Sequence, residues 1–86
     1  MHEPINEKVS VISLYDRTSG QVTPKKLKWQ GKEITITKIG YYHKRKLGRF
    51  NLHVFDVTDG NMSYRLVCHP DNLHWTLEEV SDGLAT

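Results

Sequence analysis

Apolar residues in this chain of 86 residues recur with a period of two, and turn-forming residues interrupt them at short intervals. That is the signature of half-buried strands and not of amphipathic helices. The first run, residues 8–15, is rich in Val and Ile and is closed by Asp16-Arg17-Thr18-Ser19-Gly20. Residues 25–29 and 32–39 follow, separated by Gln30-Gly31. With Gln30-Gly31 as a two-residue turn, Leu27 pairs with Ile34 and Lys28 with Glu33. Leu27, Trp29, Ile34 and Ile36 then share a core face. Lys26, Lys28, Glu33 and Thr35 share a wet face carrying an opposite-charge pair.

Asp59-Gly60 marks a second hairpin, with residues 50–58 and 61–69 as its arms. A two-residue turn there sets Val57 opposite Met62, Phe55 opposite Tyr64 and His53 opposite Leu66. Phe50, Leu52 and Val54 fall on the reverse face. His69-Pro70-Asp71-Asn72 then turns the chain into residues 73–80, where Leu73, Trp75 and Leu77 alternate inward. Six short strands without a convincing helix predict an all-β fold, a small curled antiparallel sheet or an SH3-like barrel. An OB-fold fits less well, because no segment suits its inter-strand helix. The expected core is Leu27, Trp29, Ile34, Ile36, Phe55, Tyr64, Leu66, Trp75 and Leu77. Residues 1–86 make one domain, with residues 1–7 and 81–86 as loosely held tails.

A chain this short buries only about 60% of the surface it exposes when unfolded, which leaves little room for a deep catalytic cleft. Cys68 is the single cysteine and has no partner for an internal disulfide. A reducing cytoplasm is therefore the expected location. No basic segment followed by an apolar run opens the chain, and no apolar stretch nears the roughly 20 residues of a membrane span, so neither a leader nor a membrane association is expected.

Charge sharpens the picture. Residues 24–49 hold nine bases against Glu33 alone, a balance of +8, whereas the rest of the chain carries −6. The net +2 hides this asymmetry, which points to a polyanionic or acidic partner. The basic segment ends in Tyr41-Tyr42-His43-Lys44-Arg45-Lys46-Leu47-Gly48-Arg49, read as a linker between the third and fourth strands. Its cations attract phosphates, and its flat rings offer stacking surfaces for unpaired bases. The candidate nucleic-acid contacts are Lys38, Tyr42, His43, Lys44, Arg45, Lys46 and Arg49. The plainer reading is a solvated loop that guards a sheet edge. A third is an adaptor that docks an acidic protein surface, by adding a strand to an open edge.

Metal and catalytic chemistry are weaker candidates. Cys68-His69 and His74 bracket one turn and His53 falls on the neighbouring strand, but a structural zinc site usually pairs its cysteines, and neighbours in a strand point to opposite faces. No metal or other cofactor is expected. For a small metal-independent phosphodiesterase, His53 with Asp56 or His43 with Lys44 would have to act together, and the spacing of three between His53 and Asp56 in a strand places that pair on opposite faces. No catalytic residue is assigned, and the expectation is a non-enzymatic binding module.

The order of anchors, Thr23-Pro24, Leu27-x-Trp29-x-Gly31, Ile34, Ile36, Arg49 and Trp75-x-Leu77-x-x-Val80-x-Asp82, resembles small uncharacterised bacterial β-rich domains. The resemblance runs from residue 23 to 82 and departs at Leu52-His53, where such domains often carry Trp-Arg. It implies a β-rich fold and a bacterial origin, and assigns no activity and no site residue.

Overall fold

In the computed structural model, which describes residues 2–82, the period-two pattern becomes seven strands. They are β1 (His2–Asp16), β2 (Gln21–Trp29), β3 (Lys32–Thr35), β4 (Lys38–Leu47), β5 (Phe50–Thr58), β6 (Met62–Cys68) and β7 (Trp75–Asp82). All pair antiparallel in one sheet of order β3-β2-β1-β7-β6-β5-β4. The architecture is the expected curled all-β sheet, not closed into a barrel. Among the described residues no helix is long and apolar enough to cross a membrane.

The curl follows from β1 and from the link between the two edge strands. Fifteen residues of straight strand would span about 50 Å, yet the molecule measures 31 × 29 × 28 Å. Strand β1 therefore bends, and it does so at a bulge between Pro4 and Glu7, where Asn6 takes a left-handed φ of 53°. Its first half pairs with β7 and its second half with β2. At the opposite side, Ile36 and Thr37 alone join edge strand β3 to edge strand β4. The Ile36 amide donates to the Lys25 carbonyl (2.9 Å) and the Thr37 amide to the Thr58 carbonyl (2.9 Å). Each edge is thus tethered to the corner, and the sheet must fold over to bring them there.

The concave face holds the core. Leu27, Ile36, Phe55, Val57, Tyr64, Leu66, Leu77 and Val80 are buried together, with Trp29, Ile34 and Trp75 packed against them. All nine residues of the expected core fall in this cluster. A smaller group, Leu52, Val54 and Val67, is buried on the convex face. Strands β5 and β6 are thus apolar on both sides.

The Gln30-Gly31 hairpin has the register its turn demands: Leu27↔Ile34, Lys28↔Glu33 and Trp29↔Lys32. Gln30 and Gly31 have φ of 51° and 74°, the two positive values of a type I′ turn. The second hairpin differs from the expected two-residue turn. Phe55 pairs with Leu66 and Val57 with Tyr64, so each partner lies two residues further along while every side chain keeps its face. The cause is Asp59, whose carboxylate accepts from the amides of Asn61 and Met62 (2.8 Å each) and from the Tyr64 hydroxyl (3.0 Å). Side-chain capping of this kind favours a four-residue loop over a bare two-residue turn.

Leu73 also departs from expectation. It sits at φ 58° in the loop before β7 and is 69% exposed, held there by its amide donating to the His69 carbonyl (2.9 Å). Strand β7 begins only at Trp75. Residues 2–7 and 81–82, expected in the tails, belong to β1 and β7, and their backbones pair from His2↔Ser81 to Glu7↔Leu77. Residues 1 and 83–86 lie outside the described residues.

The Asp59 loop carries a pH signature. Burial opposes the Asp59 charge, but hydrogen bonds from Met62, Asn61 and Tyr64 outweigh it and hold the carboxyl below its ordinary value. Burial, and donation to Asp59, push the Tyr64 phenol from 10.0 up to about 12. A raised folded value means that this stabilisation is complete below pH 10 and is lost as pH rises toward 12. Wild-type thermal stability is expected to fall across that window more steeply than that of Tyr64→Phe. Equal alkaline slopes in the two proteins would show that Tyr64 does not ionise against the fold.

Candidate functional site

The basic segment is a strand and not a linker. Residues 41–47 lie within β4 and pair with β5 from Tyr41↔Asp56 to Leu47↔Phe50, with Gly48-Arg49 as the connecting turn. Gly48 has φ 61°, as the first central residue of a type II′ turn requires. Alternation along β4 then divides the candidate residues between the two faces of the sheet.

On the convex side lie Tyr41, His43 and Arg45. The Arg45 guanidinium donates twice to Glu78 (2.7 and 3.0 Å). This pairing is the main cause holding the Glu78 carboxyl below its ordinary range and Arg45 above its own. The His43 ring stacks on Tyr41 (centroids 5.0 Å apart), and its buried Nδ1 has no hydrogen-bond partner among the described residues. Arg49, in the turn, lies 5.4 Å from the centre of the Phe50 ring. Lys38 begins β4 and borders a separate convex depression of about 370 Å³ shared with Tyr41, Asp56, Arg65 and Glu79. Arg65 is taken up as well, donating to Asp56 (2.9 Å) and Glu79 (3.5 Å).

On the concave side lie Tyr42, Lys44 and Lys46. Tyr42 and Lys44 border a cleft of about 720 Å³ between β4, β5 and the β1–β2 hairpin. Its walls include Ile39, His53, Phe55, Cys68 and Trp75 from one side and Ser13, Gln21, Val22 and Thr23 from the other. The aromatic wall is continuous: Tyr42 meets Phe55 (4.8 Å between centroids), and Phe55 meets Trp75 (5.6 Å). The Tyr42 hydroxyl and His53 Nδ1, 2.6 Å apart, share a hydrogen bond that fixes both rings. No acidic residue lines the cleft, and Lys44 is its one charged lining group. Among the described residues Lys44 has no ion-pair partner. An aromatic, acid-free concavity with an unpaired ammonium at its mouth suits an anion that carries flat rings.

The structure thus brings Tyr42 and Lys44 together, leaves Lys46 on the same face nearer the turn, and places Lys38, His43, Arg45 and Arg49 elsewhere. The sequence reading missed His53, Phe55 and Trp75 as cleft walls. A legible signal existed: Gly48-Arg49 is itself a hairpin turn, and counting back from it sets Lys44 opposite His53.

Of the groups considered for other chemistry, His53 faces the cleft, whereas Asp56 is on the convex side accepting from Arg65. Burial raises the Cys68 thiol, which keeps it in its unreactive form. Among the described residues no group of three or more His, Cys, Asp or Glu side chains could hold a metal ion. No family model, no curated protein and no solved structure matches the chain.

Proposed function

We propose that the protein is a non-enzymatic module that binds single-stranded nucleic acid, with little sequence preference, in the concave cleft. One observation carries this reading: the Tyr42–Phe55–Trp75 wall and Lys44 share a cleft with no acidic lining, while the acids Asp56, Glu78 and Glu79 gather on the opposite face around Arg45 and Arg65. Bases stack on the exposed Tyr42 ring, and the backbone runs past Lys44 toward Lys46. The role is narrower than the sequence suggested, since Arg45 belongs to an ion pair. A lone cysteine suits the reducing cytoplasm, and the resemblance to bacterial domains suits a bacterial source.

Labelled single-stranded oligonucleotide, followed by anisotropy against salt, tests this. Each neutralised phosphate contributes a log–log slope of about −0.7. Lys44→Ala with Lys46→Ala is expected to flatten the slope by about 1.4. Arg45→Ala is expected to leave it nearly unchanged. Absence of binding at low salt, or a slope that the Lys pair does not alter, would remove nucleic acid as the ligand. A second reading rests on β4, an edge strand of ten residues with no strand beyond it among the described residues. An acidic extended peptide could add there as a further strand; it would bind through the backbone and tolerate Tyr42→Ala.

A further inference from the structure

The β1–β2 hairpin, which walls one side of the cleft through Ser13 and residues 21–23, also presents a free strand edge. Residues 9–15, Val-Ser-Val-Ile-Ser-Leu-Tyr, carry no charge, no glycine and no proline. Strand β7 covers the edge of β1 only as far as Val9↔Trp75. From residue 10 to 16 that edge has no strand beside it among the described residues, while β2 occupies the other edge. Ile12, Leu14 and Tyr15 are 60%, 56% and 63% exposed. Free strand edges are normally guarded by lysine, proline or a bulge; residues 9–15 carry neither lysine nor proline, and the one irregularity is a register shift against β2 between Ile12 and Ser13. An exposed apolar strand edge of this kind marks an interaction site.

We propose that this edge pairs with the same edge of a second copy of the chain, antiparallel and about a two-fold axis at Ser13. The open stretch, 10–16, is centred on Ser13, which sets the register. Ile12 then lies opposite Leu14 of the second copy, so two exposed apolar groups cover one another on one face, and on the other the exposed Tyr15 meets Val11, which is partly buried against the core. Ser10 faces Asp16, and Lys8 is diagonal to that Asp16, an attractive contact that the two-fold axis repeats. The other long free edge, β4, is less suited to this: self-pairing would crowd Lys38, Lys44, Arg45 and Lys46 of both copies along one seam. A neutral edge likewise offers a charged partner nothing, which favours a second copy over a foreign acidic or basic strand. The pairing is isologous and closes at two chains, so it forms a dimer and not a fibre.

Sedimentation over a wide concentration range is the test. The wild type is expected to reach twice the chain mass. Ile12→Lys with Leu14→Lys sets like charges directly opposite and should weaken dimerisation by roughly tenfold or more. Both positions are exposed, so the fold should survive, with circular dichroism as the check. Leu47→Lys, on the exposed β4 edge, should dimerise as the wild type does. Mixing the double lysine variant with Ile12→Glu/Leu14→Glu should restore dimers, now mixed. The proposal is overturned if the wild type sediments as a single chain throughout. It is also overturned if the double lysine variant dimerises as tightly as the wild type, or if the mixture stays monomeric.

Discussion

Leu66→Ala is expected to bring the domain close to unfolding at physiological temperature. Leu66 has no exposed surface and stands between Phe55 on β5 and Leu77 on β7, at the centre of the concave core. Removing its side chain leaves a cavity that three paired strands cannot collapse around, at a cost of about 2–5 kcal/mol. A domain of this length has only roughly 4–13 kcal/mol of net stability. The midpoint temperature should accordingly fall by roughly 10–30 °C. Leu47→Ala is the control, because Leu47 is 57% exposed at the end of β4 and should change stability by no more than about 0.5 kcal/mol. Chemical denaturation of the two variants checks the difference. Equal midpoints would mean that the two halves of the curled sheet do not close on a common core.

The same core explains what could be read in advance. Where a turn is specified by backbone conformation alone, local sequence was sufficient: Gln30-Gly31 forced two positive φ values, and the register of β2 and β3 followed residue by residue. Where a side chain reaches back to bind the turn, it was not. Asp59 reads as the first half of an Asp-Gly turn, yet its carboxylate caps two amides downstream and lengthens the loop. The core survived this error because a shift of two residues keeps every side chain on its face. Strand β4 was missed for a different reason. A run of Lys44-Arg45-Lys46 looks like a solvated loop, and what makes it a strand is non-local: Arg45 pairs with Glu78, 33 positions away, and Tyr42 lies against Phe55. The site was legible in its residue types and not in its sides. Alternation along β4 sorts adjacent cations into a cleft residue and an ion-pair residue, and only the register with β5 reveals which is which.

That sorting leads to the largest expected functional effect. Tyr42→Ala is expected to weaken binding of single-stranded nucleic acid by about 5- to 150-fold, the 1–3 kcal/mol that one stacked base contributes. Tyr42 is 41% exposed, with its ring against Phe55 and nearly parallel to His53, and the exposed part of the ring is what a base would meet. Tyr42→Phe keeps the ring and loses only the hydrogen bond to His53, and should retain most of the affinity. Neither change removes a cation, so the salt slope should stay near that of the wild type, unlike the flattening expected for the Lys44 and Lys46 pair. Arg45→Ala should act the other way round, lowering stability by breaking the pair with Glu78 while leaving affinity almost untouched. Four variants thus separate stacking, phosphate contact and fold. If Tyr42→Ala binds as tightly as the wild type, the aromatic wall is only the open end of the core, and the ligand, if any, lies elsewhere on the sheet.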